Sequence, residues 1–207
     1  MQFDAIFIGA GQAAPFIAAK FADEGKQVAL IEAAKIGGSC VNYGCTPTKT
    51  LIASARAIYL ASRGDEYGFS TGSIEVNFER IMERMNKRRG DAQSGIDGWI
   101  RGMDNLTVYD GFGKFVGTEK GLHQVQVNDD VVAAPEVFIN TGTSTFVPPI
   151  DGIEDVDYLT NKSMLELTEI PEHLIVLGGG YIGLEFGQAF RRFGAEVTII
   201  EAAPQLV

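Results

Sequence analysis

The sequence predicts an α/β protein that contains two βαβ units, one near each end of the chain. Residues 3–32 run FDAIFIGAGQAAPFIAAKFADEGKQVALIE, and residues 174–201 run LIVLGGGYIGLEFGQAFRRFGAEVTIIE. Each segment has an apolar strand pattern, a glycine turn, a helix with small and apolar residues on one face, and a second strand that ends in glutamate. The 25 glycines and the hydrophobic content of 45% agree with a packed core joined by tight turns.

The two segments repeat the same positions 169 residues apart. In the dinucleotide-binding pattern the first glycine permits the turn, the second lets a pyrophosphate approach the backbone, and the third position is small so that helix and strand pack closely. The helix N-terminus adds unpaired N–H groups and a partial positive charge. Turn glycines alone would not explain a shared terminal acid, so we predict two Rossmann-like dinucleotide-binding units. The matched positions are Gly9, Gly11, Ala14, Gly25 and Glu32 in the first unit and Gly178, Gly180, Gly183, Gly194 and Glu201 in the second.

The two glutamates bear on the choice of nucleotide. Glu32 and Glu201 each end a second strand, where a carboxylate accepts hydrogen bonds from an adenosine ribose diol. A carboxylate at Glu201 would repel a 2′-phosphate, which favours NADH over NADPH unless neighbouring loops override it.

A cysteine pair follows the first unit, in the segment GGSCVNYGCTPTK at 37–49. A disulfide between Cys40 and Cys45 would close a short loop with four intervening residues. Such a loop can form because Gly44 eases the bend. Residues 50–60 have helical apolar spacing, and Pro47 suits a first helical turn. Cys45 is therefore expected at a helix N-terminus, which favours the thiolate, and Lys49 one turn later adds positive charge.

Two other interpretations of the cysteines are open at this point: two unrelated buried thiols, or two ligands of a metal. Zinc would need two further Cys or His ligands. The chain offers only His123 and His173, each of which is explained as a strand residue, so we expect no resident metal.

Charge and hydropathy limit the partners. The formal charge of −10 argues against nucleic acid, because phosphate neutralisation needs basic surface. No apolar stretch approaches the roughly 20 residues of a membrane span, and residues 1–10 do not have the pattern of a signal peptide. A cytoplasmic location is expected, where a cysteine pair indicates catalysis or redox chemistry more often than a structural disulfide.

The cysteine segment resembles the active site of the class I pyridine nucleotide–disulfide oxidoreductases, which include dihydrolipoyl dehydrogenase, glutathione reductase and mercuric reductase. The resemblance covers essentially the whole chain. Residues 45–61 and the segment GWIRGMDNLTVYDGFGKFVG at 98–117 look most similar to mercuric reductases. The second unit, GGGYIGLEFG with Glu201, looks more similar to dihydrolipoyl dehydrogenase.

The resemblance implies a role for each matching residue. Cys45 would be the charge-transfer thiol stacked against the flavin, and Cys40 the interchange thiol that meets the substrate. Lys49 would approach the flavin N5 region and pair with Glu185. Gly113 would make a backbone contact to the adenine. FAD would be held by Gly9, Gly11, Ala14, Glu32, Gly38, Ser39, Lys49, Gly113, Thr141 and Gly142, and NADH by Gly178, Gly180, Gly183 and Glu201.

On local sequence alone, plainer roles exist for several of these residues. Lys49 would be a surface lysine on a helix, and Glu185 a solvated helical residue. Gly113 would be only a hairpin glycine. Thr141-Gly142 would be an ordinary loop turn.

The resemblance also implies an organisation. Residues 1–149 would form the FAD-binding domain, with a small antiparallel excursion within 106–140, and 150–207 the start of an NAD-binding domain. The C-terminal dimerisation domain and the catalytic histidine–glutamate dyad would lie beyond Val207, so this stretch alone is expected to turn over poorly.

The implied function is a relay from NADH through FAD to the Cys40–Cys45 disulfide, and then to a small disulfide or a soft metal ion. The full-length protein would be a homodimer. The alternative is a truncated, non-catalytic FAD- and NAD-binding module.

Overall fold

The structure is a computed structural model and describes residues 1–206. Short 3₁₀ helices lie at Gly64–Tyr67, Ile153–Asp155 and Ser163–Glu166. The strands and α-helices, in chain order, are β1 (Ala5–Ile8), α1 (Ala14–Asp23), β2 (Val28–Glu32), α2 (Gly38–Tyr43), α3 (Cys45–Ser62), α4 (Phe78–Arg101), β3 (Leu106–Asp110), β4 (Lys114–Glu119), β5 (Leu122–Val127), β6 (Asp130–Ala134), β7 (Glu136–Ile139), β8 (His173–Leu177), α5 (Tyr181–Phe193) and β9 (Glu196–Ile200).

The α/β class predicted from the sequence is confirmed. The pairs β1–β2 and β8–β9 are parallel, and each pair is joined by the predicted helix, α1 or α5. The chain divides into two compact units that do not follow chain order. The first contains 1–42 and 90–148, and the second contains 43–89 and 149–207.

The first unit is built on a parallel sheet in the order β3-β2-β1-β7. Both faces of its central strands are covered, which explains why β1 is apolar throughout and fully buried. Ala5 and Phe7 join the apolar core that contains α1, whereas Ile6 and Ile8 pack with Val125 of β5. Alternate residues of one strand therefore serve two different layers.

The second layer is the antiparallel sheet β4-β5-β6, which confirms the excursion predicted within 106–140. Leu106 of β3 pairs with Val28 of β2, so the first strand of this region belongs instead to the parallel sheet. The carboxyl ends of β1, β2 and β7 lie along one edge of that sheet, which is where parallel α/β sheets bind ligands.

The second unit packs the pair β8–β9 and helix α5 with α3 and the start of α4. Its core contains Phe78, Phe190 and Phe193, whose rings meet edge to face at centroid distances of 5.7–5.9 Å. Leu51 and Ala55 of α3 are fully buried in the same core. The cysteine helix α3 is thus fixed against the helix of the second βαβ unit.

Helix α2 is an element that the sequence pattern did not predict. The side chain of Asn42 explains the added turn of helix. Its Nδ2 donates to the carbonyl oxygens of Ile36 and Gly38, at 3.3 and 2.9 Å. These bonds close the segment into a compact turn.

Within residues 1–206 no helix is both long enough and apolar enough to cross a bilayer.

Candidate functional site

The turn after β1 is shaped by Gly9. Its backbone φ is +92°, a conformation that L side chains rarely adopt, and its N–H donates to the carbonyl oxygen of Ile31 at 2.7 Å. A Cβ at this position would lie 2.7 Å from the carbonyl carbon of Asn140 and 3.1 Å from Cα of Thr141. The structure therefore brings Gly9 and the predicted Thr141-Gly142 turn together at one sheet edge.

A second close approach joins this turn to the cysteine segment. Gly38 has φ of +58°, and a Cβ there would lie 2.6 Å from Cα of Gly11. Ser39 follows Gly38 in α2, and the buried Ala14 begins α1. Gly113 directly precedes β4. A Cβ placed on Gly113 would lie 3.1 Å from Cγ2 of Ile8, so Gly113 also lies at the carboxyl end of β1.

The two strand-end glutamates make the same pair of hydrogen bonds. Oε2 of Glu32 accepts from Ala10 N at 2.7 Å, and its Oε1 accepts from Ala34 N at 2.8 Å. Glu201 repeats this with Gly179 N at 2.6 Å and Ala203 N at 2.7 Å. Each carboxylate ties the glycine turn to the strand end.

In the second unit these bonds have an electrostatic consequence. Backbone donors, Ala203 first and then Gly179, lower the pKa of Glu201 below its usual value of 4.5. The side chain is therefore a carboxylate at neutral pH. It lies in the same unit as Gly178 (φ +101°) and Gly180, which begins α5 as its N-cap.

Gly183 shows why the third position of the second motif must be small. A Cβ there would overlap the carbonyl oxygen of Gly178 and lie 2.9 Å from Cγ1 of Val176. The helix α5 and strand β8 are thus in close backbone contact, as the motif requires.

Neither α1 nor α5 has a side-chain hydrogen bond at its N-cap. The first N–H groups of such a helix are left for water or for an anion. Together with the glycine approaches, both turns suit the diphosphate of a dinucleotide.

The cysteines lie on successive helices. Cys40 is half-buried in α2, and Cys45 is exposed as the first residue of α3; both are thiols in the structure. Only four residues separate them along the chain. Gly44 is the N-cap of α3 and has no side chain that could cap the helix. The side chain of Cys45 is therefore the first one at this helix N-terminus.

Lys49 lies one turn after Cys45 in α3, and its Nζ forms an ion pair with Oε1 of Glu185 in α5. The side chains are 62% and 28% exposed. An exposed pair contributes little to stability. Its effect is to hold an ammonium group on the helix that begins with Cys45.

One residue of this edge was missed by the sequence analysis. Asn140 follows β7, and its Nδ2 is the single buried side-chain polar atom within 1–206 with no hydrogen-bond partner. A polar residue directly after an apolar strand and before Thr141-Gly142 was the signal that pointed to it.

Comparisons with known proteins agree with this geometry. The family described as pyridine nucleotide-disulphide oxidoreductase matches residues 3–207. The chain is 35% identical over 206 residues to a mercuric reductase of Lysinibacillus sphaericus, covering all of this chain and 37% of that protein. It is 33% identical over 205 residues to a dihydrolipoyl dehydrogenase of Acholeplasma laidlawii, covering 97% of this chain and 60% of that protein.

A solved structure is also similar. The Cu(II) complex of the HOCl-induced flavoprotein disulfide reductase RclA from Escherichia coli matches with a TM-score of 0.84 at 34% identity. The match covers all of this chain and 44% of that one. The chain thus spans less than two thirds of each of these relatives.

Proposed function

The chain belongs to the pyridine nucleotide-disulphide oxidoreductase family, and from this membership we propose that its first βαβ unit binds FAD and its second binds NADH. Residues 1–149 then supply the FAD domain and 150–207 the start of the NAD domain. With both nucleotides bound, Cys40 and Cys45 would form the disulfide that accepts the electrons of NADH and passes them to a substrate.

The observation that carries this proposal is the position of Cys45 at the start of α3, with Lys49 one turn away. A helix N-terminus and a nearby ammonium both stabilise a thiolate. Glu185 orients that ammonium through its ion pair. We therefore assign Cys45 as the thiol that faces the flavin and Cys40 as the thiol that faces the substrate.

When bound, FAD supplies two-electron transfer between a pyridine nucleotide and a thiol pair. Two electrons and one proton open the disulfide, which leaves Cys45 as thiolate and Cys40 as the outer thiol. Cys40, once deprotonated, then attacks a substrate disulfide and displaces the first substrate thiol. Cys45 attacks the sulfur of Cys40, which releases the second substrate thiol and regenerates the internal disulfide. A soft metal ion would instead be ligated by the thiolates.

The relatives suggest two substrate classes. Some are named mercuric reductase and others dihydrolipoyl dehydrogenase, so we propose a small disulfide or a soft metal ion. We also propose that the whole protein works as a homodimer in the cytoplasm, with no nucleic-acid or membrane partner.

The test of the function is an anaerobic titration of the purified protein with NADH, followed by visible absorption. We expect a long-wavelength thiolate–flavin band at two electrons per flavin, because the cysteines then hold the electrons and Cys45 is ionised. Flavin bleaching without the band would contradict coupling to the cysteines. Absence of flavin would favour a non-catalytic module.

Nucleotide choice gives a separate prediction. Replacing Glu201 with Gln removes the negative charge while keeping the side-chain shape, so the NADH-over-NADPH ratio of kcat/KM should fall about tenfold, equivalent to about 1.4 kcal/mol. Because backbone donors lower the pKa of Glu201, its side chain is charged at neutral pH, where the ratio is to be measured. Steady-state kinetics with both nucleotides measures the ratio.

Glu32 provides the matched control for this prediction. It makes the same two backbone hydrogen bonds in the first unit. Glu32→Gln should weaken FAD binding and leave the NADH-to-NADPH ratio unchanged. An equal change of that ratio in both variants would show that Glu201 does not read the 2′ position.

A further inference from the structure

We propose that Asn140 is a cofactor-binding residue whose Nδ2 donates a hydrogen bond to the diphosphate of FAD. The inference rests on the proposed function, because it presupposes FAD at the first βαβ unit. It adds a side-chain donor to a turn otherwise built from main-chain N–H groups.

The position of Asn140 is fixed by the sheet. Its backbone N–H donates to the carbonyl oxygen of Ile8 at 2.7 Å, which continues the pairing of β7 with β1. Its carbonyl group lies against Gly9. Its Nδ2 would be 3.1 Å from a Cβ placed on Gly11. The side-chain amide therefore reaches the glycine that lets a pyrophosphate approach.

The amide nitrogen of Asn140 has no hydrogen-bond partner in the described structure. Its Nδ2 is buried without a hydrogen bond, and a buried unsatisfied donor is costly for a folded protein. A donor left in this state beside a ligand-binding turn is explained by a ligand acceptor.

The sequence of the turn gives a reason for a side-chain donor. Pro15 lies in the first turn of α1 and has no N–H, so this helix start offers one donor fewer than usual. The other amide side chain of the turn, Gln12, is used elsewhere, since its Nε2 donates to Gly37 O at 3.2 Å. Asn140 supplies the missing donor, and the anionic diphosphate is the acceptor that this edge is built to receive.

The experiment measures FAD binding and thermal stability separately. FAD is titrated into the flavin-free purified protein, and quenching of flavin fluorescence gives Kd. We expect Kd to rise about tenfold or more in Asn140→Ala, as for loss of a hydrogen bond to a charged group. The rise should be larger in Asn140→Asp, because a carboxylate repels the diphosphate.

The flavin-free protein distinguishes binding from structure. Removing an unsatisfied donor should leave its Tm unchanged or raise it by up to about 4 °C in Asn140→Ala. A residue with only a structural role would lower that Tm instead. Gln126→Ala is the matched control, since this exposed amide of β5 lies outside the site; it should leave Kd within twofold of the wild-type value.

Each outcome decides the question. A Kd within twofold of wild type in both Asn140 variants overturns the assignment and leaves FAD binding by the chain intact. A lower Tm of flavin-free Asn140→Ala overturns it as well. If the wild-type protein itself binds no FAD, the proposed function fails and this inference fails with it.

Discussion

Replacing Cys45 with Ser is expected to abolish the thiolate–flavin absorption band and to reduce turnover by at least about a thousandfold. A serine hydroxyl neither ionises at neutral pH nor forms a disulfide. Without Cys45 the electrons have no route from the flavin to the outer thiol. Anaerobic reduction with NADH, followed at long wavelength, measures the band, and steady-state kinetics measures the turnover.

Cys40→Ser is the matched control for this prediction. It removes the same disulfide but leaves Cys45 at the N-terminus of α3 beside Lys49. Cys45 then has no partner to be oxidised with and remains a thiolate. The band should therefore be present in Cys40→Ser before any NADH is added. A band that persists in Cys45→Ser would show that Cys45 is not the thiol that interacts with the flavin. A band that is missing from Cys40→Ser would also contradict the assigned roles.

The largest effect on stability is expected for Gly9→Ala, at about 3 kcal/mol or more. Two costs combine at this position. An alanine must adopt φ of +92°, and its Cβ must displace the backbone of Asn140 from the edge of β7. Urea denaturation of the flavin-free protein measures the free energy of unfolding, and flavin content after purification should fall in parallel.

Gly25→Ala separates these two costs. Gly25 also has a positive φ, +84°, but no atom lies within 4 Å of a Cβ placed there. Only conformational strain remains, which amounts to about 1 kcal/mol. If Gly9→Ala cost no more than Gly25→Ala, the close approach of the turn to β7 would not be important for stability.

The βαβ units could be predicted because their signal is local. The apolar run of β1, the glycine turn and the helix spacing all lie within 30 residues, and the second copy repeats them. The pairing of β3 with β2 could not be predicted, because Leu106 and Val28 are far apart in sequence. The packing of α3 with the second βαβ unit could not be predicted either, because it depends on the contact of Leu51 with the aromatic core around Phe190.

The same distinction between local sequence signals and long-range contacts applies to the candidate site. Cys45 at a helix start follows from the apolar spacing and Pro47, and the structure has α3 begin at that residue. The sequence places Asn140 directly after an apolar strand and before Thr141-Gly142, but it does not predict the proposed role, which depends on a buried donor without a partner. Helix α2 depends on side-chain bonds of Asn42 that no periodicity shows.

The paired bonds of Glu32 and Glu201 have a consequence for the cost of nucleotide binding. Because each carboxylate already holds a turn amide, at Ala10 or at Gly179, the turn conformation is specified by the protein chain itself. Each oxygen retains a lone pair for a ribose hydroxyl. The entropy of ordering the turn is therefore lost during folding and not during association. The two proposed nucleotide sites would therefore be preorganised, and more of the contact energy would be retained as affinity.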